Sequence, residues 1–596
     1  MKELYTISTF NVGQLVDKIS TGELGLPDLQ RPFVWKNTRV RDLFDSLLKG
    51  FPIGYLMLWD CPSKEDNRSI SMGEKSYTSP KEVIIDGQQR LTSLYAVIKG
   101  QPVINDKFEK VQIKIAYHPI EDKFEVCTSA IEKDPEWISN ISDIFNTPNM
   151  FTFTSEYISR LQKSKEDKGE EFSSEQANQV YERINEITKI KDRHLPVFNI
   201  FNDVDEEIVS EIFVRVNSRG ITLKQNDFIL TLMSIYWGEG RDMIESFCQS
   251  SHHPVYKKST AYNPITEVTP QNIIRVVLAF GFNRGRLKYG YKLLRGADLE
   301  NKGAVDEKLK TERFDHLKEV LPLVLDLTNW HEFIKSVMNA GYLSGEMILS
   351  KNALFYSYAF YLIGKYRFKI PEMENQNLCS LWFFYATLSS LYAGSFESVV
   401  EEQLNRIKNL KTIEEYKGFL LNRISERLTD DYFKITLPGT GVGGLEVSGG
   451  GNNAWFAYVA ALNLLGTPVL FTRNNLLVST LFQAGVDGKK KSLEKHHLFP
   501  KACLKSLGYG DNMINQMANY ALIDWKQNIS ILDAAPSDYY PIVCEGMSEE
   551  VIRKMEDENA LPHGWENMDY PKFLAARRKL MADRIKEAYQ KLLNNC

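Results

Sequence analysis

Cysteine is scarce in this 596-residue sequence, and the cysteines that occur are far apart. Seven of them are spread from Cys61 to Cys596, and no two form a C-x-x-C pair. This spacing argues against a disulfide framework and against a cysteine-rich zinc site. We therefore expect a reduced, cytoplasmic protein.

Long hydrophobic segments are also missing. Residues 1–10 lack a basic stretch followed by an apolar one, so no secretory signal is evident. The most apolar segment, residues 378–393, is short for a membrane span and contains three serines. We predict that it forms a buried helix, and we expect no membrane partner.

Two further absences concern nucleotides and nucleic acids. The P-loop motif G-x-x-x-x-G-K-[ST] does not occur, which argues against that way of binding phosphate. The net charge of −5 does not indicate a nucleic-acid-binding protein. It does not exclude one, because a local basic surface can bind phosphates within an acidic protein.

Glycine, in contrast, is concentrated in one segment. Seven glycines lie between residues 439 and 451, directly after Pro438. This composition is typical of a flexible linker or loop, with a structured phosphate-binding loop as the alternative. We therefore divide the later chain into a helical middle region (236–436), a linker or loop (437–453) and a C-terminal domain (454–596).

The first 100 residues combine strand and helix patterns. The apolar run 83–85 predicts a buried strand, and the spacing of the apolar residues from Leu91 to Ile98 predicts a helix. The turn Asp86-Gly87-Gln88-Gln89-Arg90 lies between them. Such a strand–turn–helix unit presents backbone N–H groups and the positive end of a helix dipole to an anion. Gly87 permits close approach of the backbone, and Arg90 offers a planar, permanently charged guanidinium to phosphate oxygens.

Three more motifs accompany this turn, at residues 29–35, 51–54 and 212–220. Together the motifs resemble the N-terminal domain of the GmrSD-type restriction enzymes, which is similar to the ParB and sulfiredoxin fold. The resemblance covers residues 1–235 and implies an α/β domain that binds and hydrolyses a nucleoside triphosphate. The nucleotide-binding residues that it implies are Gln30, Arg31, Asp86, Gly87, Gln88, Gln89, Arg90, Asn217 and Arg219.

Alternatives remain open for these motifs. Asp86 can instead cap the following helix while Arg90 pairs with a surface carboxylate. Residues 217–220 are equally compatible with a helix–helix turn. Phe33 and Trp35 either touch a modified group on a ligand or belong to the core, and the apolar pattern around them favours the core.

A second constellation lies near the C-terminus. His496 and His497 end a short polar-to-apolar strand, Pro500 follows, and Asn519 and Asn528 come downstream. Adjacent histidines prove little alone, because another pair occurs at 252–253 without such surroundings. The whole pattern, over about residues 490–545, resembles the His-Asn-His (HNH) nucleases, whose centre is a small ββα-metal fold.

This resemblance implies a role for each residue of the pattern. His497 is the general base, Asn519 orients its ring, and His496 and Asn528 bind a divalent metal ion. A histidine can take a proton from the attacking water near neutral pH, and a cation neutralises charge on the phosphate. His496 stands where many relatives carry aspartate, and an imidazole ligand favours Mn, Ni or Zn over Mg more than a carboxylate does. We therefore leave Mg, Mn and Ni open.

Basic residues near the histidines indicate contact with DNA phosphates. The predicted DNA-binding residues are Lys489, Lys490, Lys491, Lys495 and Lys501. The helix near Arg577, Arg578, Lys579 and Arg584 either adds contacts to the DNA backbone or presents an exposed face. A solvated lysine-rich loop is the alternative for the lysines.

We thus predict a multidomain, predominantly helical α+β protein with an all-α middle and a ββα-metal nuclease embedded in C-terminal helices. The expected function is a metal-dependent DNA endonuclease or nickase, regulated by a nucleoside triphosphate, in type IV anti-phage restriction of modified double-stranded DNA. A double-strand break requires a homodimer or two sequential cuts. The alternative is a nucleotide-binding regulator or DNA-binding sensor of a defence system with a degenerate nuclease fold.

Overall fold

A computed structural model describes most of the chain. The described residues are 3–25, 33–60, 69–72, 75–78, 82–105, 109–204, 208–209, 212, 216, 229–230, 233, 236–252, 254, 257–298, 306–440, 443–449, 451–473, 476–482, 493–524 and 533–596. Within them helices predominate, and the sheets are small. The chain divides into two compact units, Met1–Arg241 and Asp242–Cys596. A multidomain, mainly helical α+β architecture is therefore confirmed.

The first unit contains a five-stranded mixed sheet. The strands in the described part of this unit are β1 (Tyr5–Asn11), β2 (Leu24–Gly25), β3 (Leu56–Asp60), β4 (Ser69–Met72), β5 (Lys75–Thr78), β6 (Glu82–Asp86), β7 (Val103–Ile104), β8 (Lys110–Val111), β9 (Ile115–His118), β10 (Lys123–Val126) and β11 (His194–Ile200). The main sheet has the order β1-β11-β3-β6-β2. Strands β11 and β3 are parallel, as are β2 and β6, and the other neighbours are antiparallel.

Helices cover one face of this sheet. They are α1 (Val12–Ser20), α2 (Asn37–Leu48), α3 (Gln88–Lys99), α4 (Ser142–Asn146), α5 (Met150–Asp167) and α6 (Ser174–Thr188). Successive side chains of a strand point to opposite faces. Accordingly, Leu58 and Ile84 join the helix-covered core, while Met57, Trp59 and Ile85 belong to a second apolar cluster.

The predicted strand and helix around the 86–90 turn are both present. Strand β6 ends at Asp86, and helix α3 begins at Gln88, inside the segment that we expected to be a turn. Gly87 is the helix N-cap. Phe33 is buried in the core and Trp35 packs against it, so both aromatic residues are core residues, as the apolar pattern favoured.

The second unit is mostly helical. Among the described residues its α-helices are α7 (Gly238–His252, which spans the division), α8 (Pro270–Phe282), α9 (Leu287–Leu294), α10 (Glu307–Leu325), α11 (Leu327–Asn339), α12 (Lys351–Leu362), α13 (Glu372–Leu388), α14 (Phe396–Ile407), α15 (Ile413–Arg427), α16 (Asn453–Leu465), α17 (Val478–Leu481), α18 (Lys501–Ser506), α19 (Asp511–Ile514), α20 (Pro536–Val543), α21 (Glu549–Glu558) and α22 (Tyr570–Asn594). The unit also contains a ribbon of β12 (Leu493–His497) and β13 (Tyr520–Asp524).

Helix α13 contains most of the apolar segment predicted to be a buried helix. Every residue from 378 to 388 is buried, which confirms that prediction. It packs against α11, α12, α16 and α22. None of the helices in the described part of the chain is long and apolar enough to cross a membrane.

The described part of the glycine-rich segment is a packed loop. Leu445 is completely buried, and its N–H donates to the carbonyl of Leu437 (2.8 Å). The N–H of Gly449 donates to the carbonyl of Asn515 (2.7 Å), and the carbonyl of Val447 accepts from the N–H of Met517 (2.9 Å). Residues 443–449 therefore form a loop inside the second unit, which also contains the predicted C-terminal region and the predicted middle region from Asp242 onward.

Replacing Leu445 tests this packing. Because its side chain is completely buried, we expect Leu445→Ala to lower the free energy of unfolding by about 2–5 kcal/mol. Gly451→Ala is the control, since an added Cβ meets no described atom within 4 Å. It should change the free energy by less than about 0.5 kcal/mol. Urea unfolding followed by tryptophan fluorescence measures both, and equal midpoints would show that the segment is a loose linker.

Candidate functional site

The paired histidines stand at the end of the β12–β13 ribbon. The two strands are antiparallel, with His497 opposite Tyr520 and His496 opposite Ala521. Strand β12 ends at His497, as the sequence pattern predicted. The residues that would form the helix of a ββα-metal fold directly after β13 lie outside the described residues.

His497 is held through one of its two ring nitrogens. Its Nε2 lies 3.1 Å from Oδ1 of Asn515, and the Tyr520 hydroxyl donates to the same oxygen (3.2 Å). The His497 and Tyr520 ring centroids are 4.6 Å apart. Because an amide oxygen only accepts hydrogen bonds, this contact assigns the ring proton to Nε2 and leaves a lone pair on Nδ1. A lone pair on a positioned imidazole nitrogen is what a general base requires.

Burial controls the charge of this imidazole. It lowers the pKa of His497 below the ordinary value, and the positive charge of Lys501 lowers it further. The hydrogen bond with Asn515 acts in the opposite direction but does not cancel these effects. The ring is therefore neutral near pH 7 and able to accept a proton.

Asn519 is completely buried and bonds to the backbone. Its Oδ1 accepts from the N–H of Phe499 (2.9 Å), and its Nδ2 donates to the carbonyls of Phe499 and Ile514 (3.0 Å each). Its own carbonyl accepts from the N–H of Leu498 (2.8 Å). We expected Asn519 to hold the His497 ring in orientation. In the structure it fixes the backbone that follows His497, and Asn515 contacts the ring.

The sequence did not single out Asn515. It is the C-cap of the short helix α19, and in the sequence it resembles an ordinary helix end. Asn515 reaches the ring of His497 because β13, which follows it in the chain, pairs with β12. The sequence contains only a weak indication of this role: Asn515 is a polar residue four positions before Asn519.

His496 has different neighbours from His497. It is only 5% exposed, and its ring lies 6.0 Å from that of Tyr539 on α20, edge to face. Since adjacent residues of a strand face opposite ways, His496 and His497 point to opposite sides of the ribbon. The other predicted metal ligand, Asn528, lies outside the described residues. Among the residues that are described, no group of three His, Cys, Asp or Glu side chains could hold a metal ion, and one imidazole does not define a metal centre.

Two predicted DNA-binding lysines are described, and both are at the surface. The Nζ atom of Lys495 lies 5.6 Å from the ring centroid of Trp455 and 5.8 Å from that of Phe456, within cation–π range. The Nζ atom of Lys501 lies 3.5 Å from a carboxylate oxygen of Asp511. Lys489, Lys490 and Lys491 lie outside the described residues.

Arg577 corrects the expectation for one of the four basic residues of its helix. Its side chain is completely buried, so it neither contacts DNA nor lies on an exposed helix face. One of its amino groups donates to the carbonyls of Ala518 (2.8 Å) and Tyr520 (2.7 Å). The apolar residues Phe573 and Met581, four positions before and after it, are buried on the same face of α22. The spacing of these apolar residues predicts a buried position for residue 577, but the charge of arginine suggested a position at the surface.

In the first unit the structure brings three of the N-terminal motifs together. Arg90 donates to the carboxylate of Asp86 (3.1 Å) and to the carbonyl of Ile53 (2.8 Å). The side-chain oxygen of Gln89 accepts from the N–H of Val34 (3.0 Å). Asp86 thus pairs with Arg90, and Gly87 is the N-cap of α3, which argues against the alternative in which Asp86 caps the helix. Gln30, Arg31, Asn217 and Arg219 lie outside the described residues.

Glycine is required at two positions of this site. Gly54 has φ +92°, and a Cβ there would lie 2.6 Å from a guanidinium nitrogen of Arg90. Gly87 has φ +95°, and a Cβ there would lie 2.2 Å from a methyl carbon of Leu56. Both backbones therefore approach their neighbours too closely for a side chain. The adjacent hydroxyl of Tyr55 has a raised pKa, first through burial and then through the charge of Asp86.

The first turn of α3 and the guanidinium of Arg90 can bind an anion, but Arg90 already pairs with Asp86. A phosphate at this turn must share the guanidinium with that carboxylate. Charge-assisted hydrogen bonds to Arg tolerate such sharing, because the planar group has five donors. Gln88 and Gln89, at the same helix end, carry side-chain amides that both donate and accept.

The comparison with known families bears on this unit. Residues 12–234 match the model of the GmrSD restriction endonuclease N-terminal domain. This GmrSD-like domain coincides closely with the first compact unit, and the match supports a restriction-related function. An uncharacterized protein of Methanocaldococcus jannaschii is 22% identical over 97% of this chain and 98% of its own length.

Gly54 offers a stability test of the GmrSD-like domain. We expect Gly54→Ala to lower the free energy of unfolding by about 2–4 kcal/mol, because it adds backbone strain and displaces a charged hydrogen-bond donor. Gly100→Ala is the matched control: its φ is +64°, but the nearest atoms to a Cβ are 3.8 Å away. It should cost only about 1 kcal/mol, the strain alone. Urea unfolding compares the two, and an equal loss would rule out the close approach of Arg90 to Gly54.

The charge of Lys501 offers a test of the His497 environment. Lys501→Gln should raise the pKa of His497, whereas Lys505→Gln, on the same short helix, removes an equal charge and should not. NMR titration of protein labelled with ¹³C-histidine measures this, and His497→Gln assigns the signal. The wild-type ring should titrate below about 6.5. A wild-type His497 pKa above about 6.5 would contradict the effect of burial.

The lowered pKa of His497 also affects stability. As the pH falls toward about 6.5 and below, His497 binds a proton more readily in the unfolded chain than in the folded one, so this histidine makes the folded state less stable in acid.

Proposed function

We propose that the protein is a DNA endonuclease or nickase of the modification-dependent (type IV) restriction class. The phosphodiester is hydrolysed at His497, and a nucleoside triphosphate bound by the GmrSD-like domain controls the cut. One observation carries the proposal: a neutral imidazole, held through Nε2 with a lone pair on Nδ1, in a chain whose residues 12–234 match a restriction endonuclease domain.

The proposed chemistry at His497 is general-base hydrolysis. Nδ1 takes a proton from a water molecule, the water oxygen bonds to phosphorus, and one P–O ester bond breaks. The lowered pKa keeps the imidazole neutral and ready to accept the proton. Asn515 and Tyr520 keep the ring from rotating, which holds Nδ1 toward the substrate.

A divalent cation (Mg, Mn or Ni) completes the proposed centre. His496 and Asn528 would hold it if His496 turned from its place beside Tyr539 to the side of His497, and the cation would then neutralise charge on the phosphate and the leaving oxygen. Lys495 and Lys501 are at the surface on either side of the histidine pair in sequence, where they are able to contact DNA phosphates. Lys489, Lys490 and Lys491 extend this basic segment in the sequence.

The proposed nucleotide site lies at the start of α3. Phosphates would contact the N–H groups of the first helical turn and share Arg90 with Asp86. Gln30, Arg31, Asn217 and Arg219 would complete the site. We propose that sharing Arg90 between a phosphate and Asp86 changes the structure of this turn during nucleotide turnover, and that this change regulates the nuclease.

One observation favours a second function. His496 faces Tyr539 and is 95% buried, on the opposite side of the ribbon from His497. If this arrangement prevents metal binding, the nuclease fold is degenerate. The protein would then be a nucleotide-binding regulator or DNA sensor of a defence system.

Cleavage of DNA distinguishes these functions. Supercoiled plasmid and phage DNA with modified bases or a modified backbone are incubated with Mg, Mn or Ni, with and without nucleoside triphosphate. We expect His497→Ala to reduce metal-dependent cleavage by about 10²- to 10⁴-fold. His316→Ala, a partly exposed histidine on α10, should cut like the wild type. Arg90→Ala should remove the effect of nucleotide.

Each result decides a separate point. Cleavage at the wild-type rate by His497→Ala places the catalytic base elsewhere. No cut by the wild type under any condition supports the regulator. Nicked product alone indicates a nickase, and linear product whose yield rises with the square of protein concentration indicates a homodimer.

A further inference from the structure

Arg577 is a cation buried without a carboxylate partner. Its side chain is 0% exposed, and no described acidic side chain forms an ion pair with it. Its Nε atom has no hydrogen-bond partner among the described residues. Burial lowers the pKa of the guanidinium, and the neighbouring hydroxyl of Tyr458 partly offsets this effect. Removing a charge from water is costly, so an apolar side chain would fill this place more cheaply unless the hydrogen bonds matter.

The hydrogen bonds of Arg577 go to two peptide groups that flank one residue. A single amino group bridges the carbonyls of Ala518 (2.8 Å) and Tyr520 (2.7 Å). Asn519 lies between them, and its side chain holds the N–H and carbonyl of Phe499. Helix α22 is thereby tied to the start of β13.

The same connection continues to His497. The carbonyl of Asn519 accepts from the N–H of Leu498, the residue directly after His497. Tyr520 is the partner of His497 across the ribbon, and its hydroxyl shares the Asn515 oxygen that holds the imidazole. Moving the 518–520 segment therefore moves both the backbone after His497 and the face against which its ring rests.

We propose that Arg577 is a positioning residue for His497. It acts through the carbonyls of Ala518 and Tyr520 and does not touch DNA. The proposal rests on the proposed nuclease function for its catalytic consequence. Its structural consequence, the orientation of the His497 ring, is independent of that function.

The variants Arg577→Lys and Arg577→Met test the role. Lysine keeps the charge but is a compact donor without the planar guanidinium, and methionine removes both charge and donors. Arg584→Met is the matched control: Arg584 is on the same face of α22, mostly buried, and pairs with Glu587. All variants are made in the full chain, and circular dichroism checks that they fold.

In DNA cleavage we expect both Arg577 variants to lower kcat by about 10- to 100-fold, with KM for DNA within about twofold of the wild type, because a small displacement of a catalytic group costs rate rather than binding. Arg584→Met should stay within about twofold on both parameters. A raised KM with unchanged kcat would show instead that Arg577 serves DNA binding. Unchanged kcat in both Arg577 variants would overturn the proposal.

NMR of ¹³C-labelled histidine supplies a readout without cleavage. We expect the His497 signal to move and its pKa to change in both Arg577 variants, but not in Arg584→Met. If the wild type cuts no DNA, the proposed function fails while this result still decides the positioning role. An unmoved His497 signal in folded Arg577→Lys would overturn the positioning role whatever the cleavage result. If Arg577→Met does not fold, Arg577→Lys carries the test.

Discussion

The C-terminal site depends on one constraint: the buried side-chain amide of Asn519 needs hydrogen-bond partners. Asn519 has no access to water, so every polar atom of its side chain must find a partner in the protein. It finds them in the backbone of Phe499 and Ile514. Leaving one of these groups unpaired costs about 1–3 kcal/mol, which fixes the connection after β12 against the start of β13. The opposition of His497 and Tyr520 at the ribbon end follows from that.

The two candidate sites prepare their polar groups in different ways. In the GmrSD-like domain a charged pair, Asp86 and Arg90, is assembled in advance and surrounded by glycines that leave no room for side chains. At the ribbon end a single imidazole is kept neutral by burial. Under the proposed function, a phosphate at the first site would share a guanidinium that is already paired with a carboxylate. A water molecule at the second site would meet an unprotonated nitrogen.

Local patterns in the sequence predicted the local structure well. The apolar run before Asp86 predicted β6, the spacing from Leu91 to Ile98 predicted α3, and the polar-to-apolar change predicted a strand that ends at His497. The contacts of Asn515 and Arg577 were not predictable in this way. Both depend on chain segments that meet only in the folded unit, and an arginine on an apolar helix face resembles a surface residue until its acceptors are known.

The packed glycine-rich loop has a consequence for how this chain can be divided experimentally. Its glycine content suggests a linker, so that a fragment could be made to start just after it, at α16. However, the N–H of Gly449 donates to the carbonyl of Asn515, the residue whose side chain holds the ring of His497. A recombinant fragment that starts at α16 would lose this loop and also helix α13, against which α16 and α22 pack. The compact unit that contains the histidines begins at Asp242, inside α7, so a fragment that keeps this unit whole has to start before that helix.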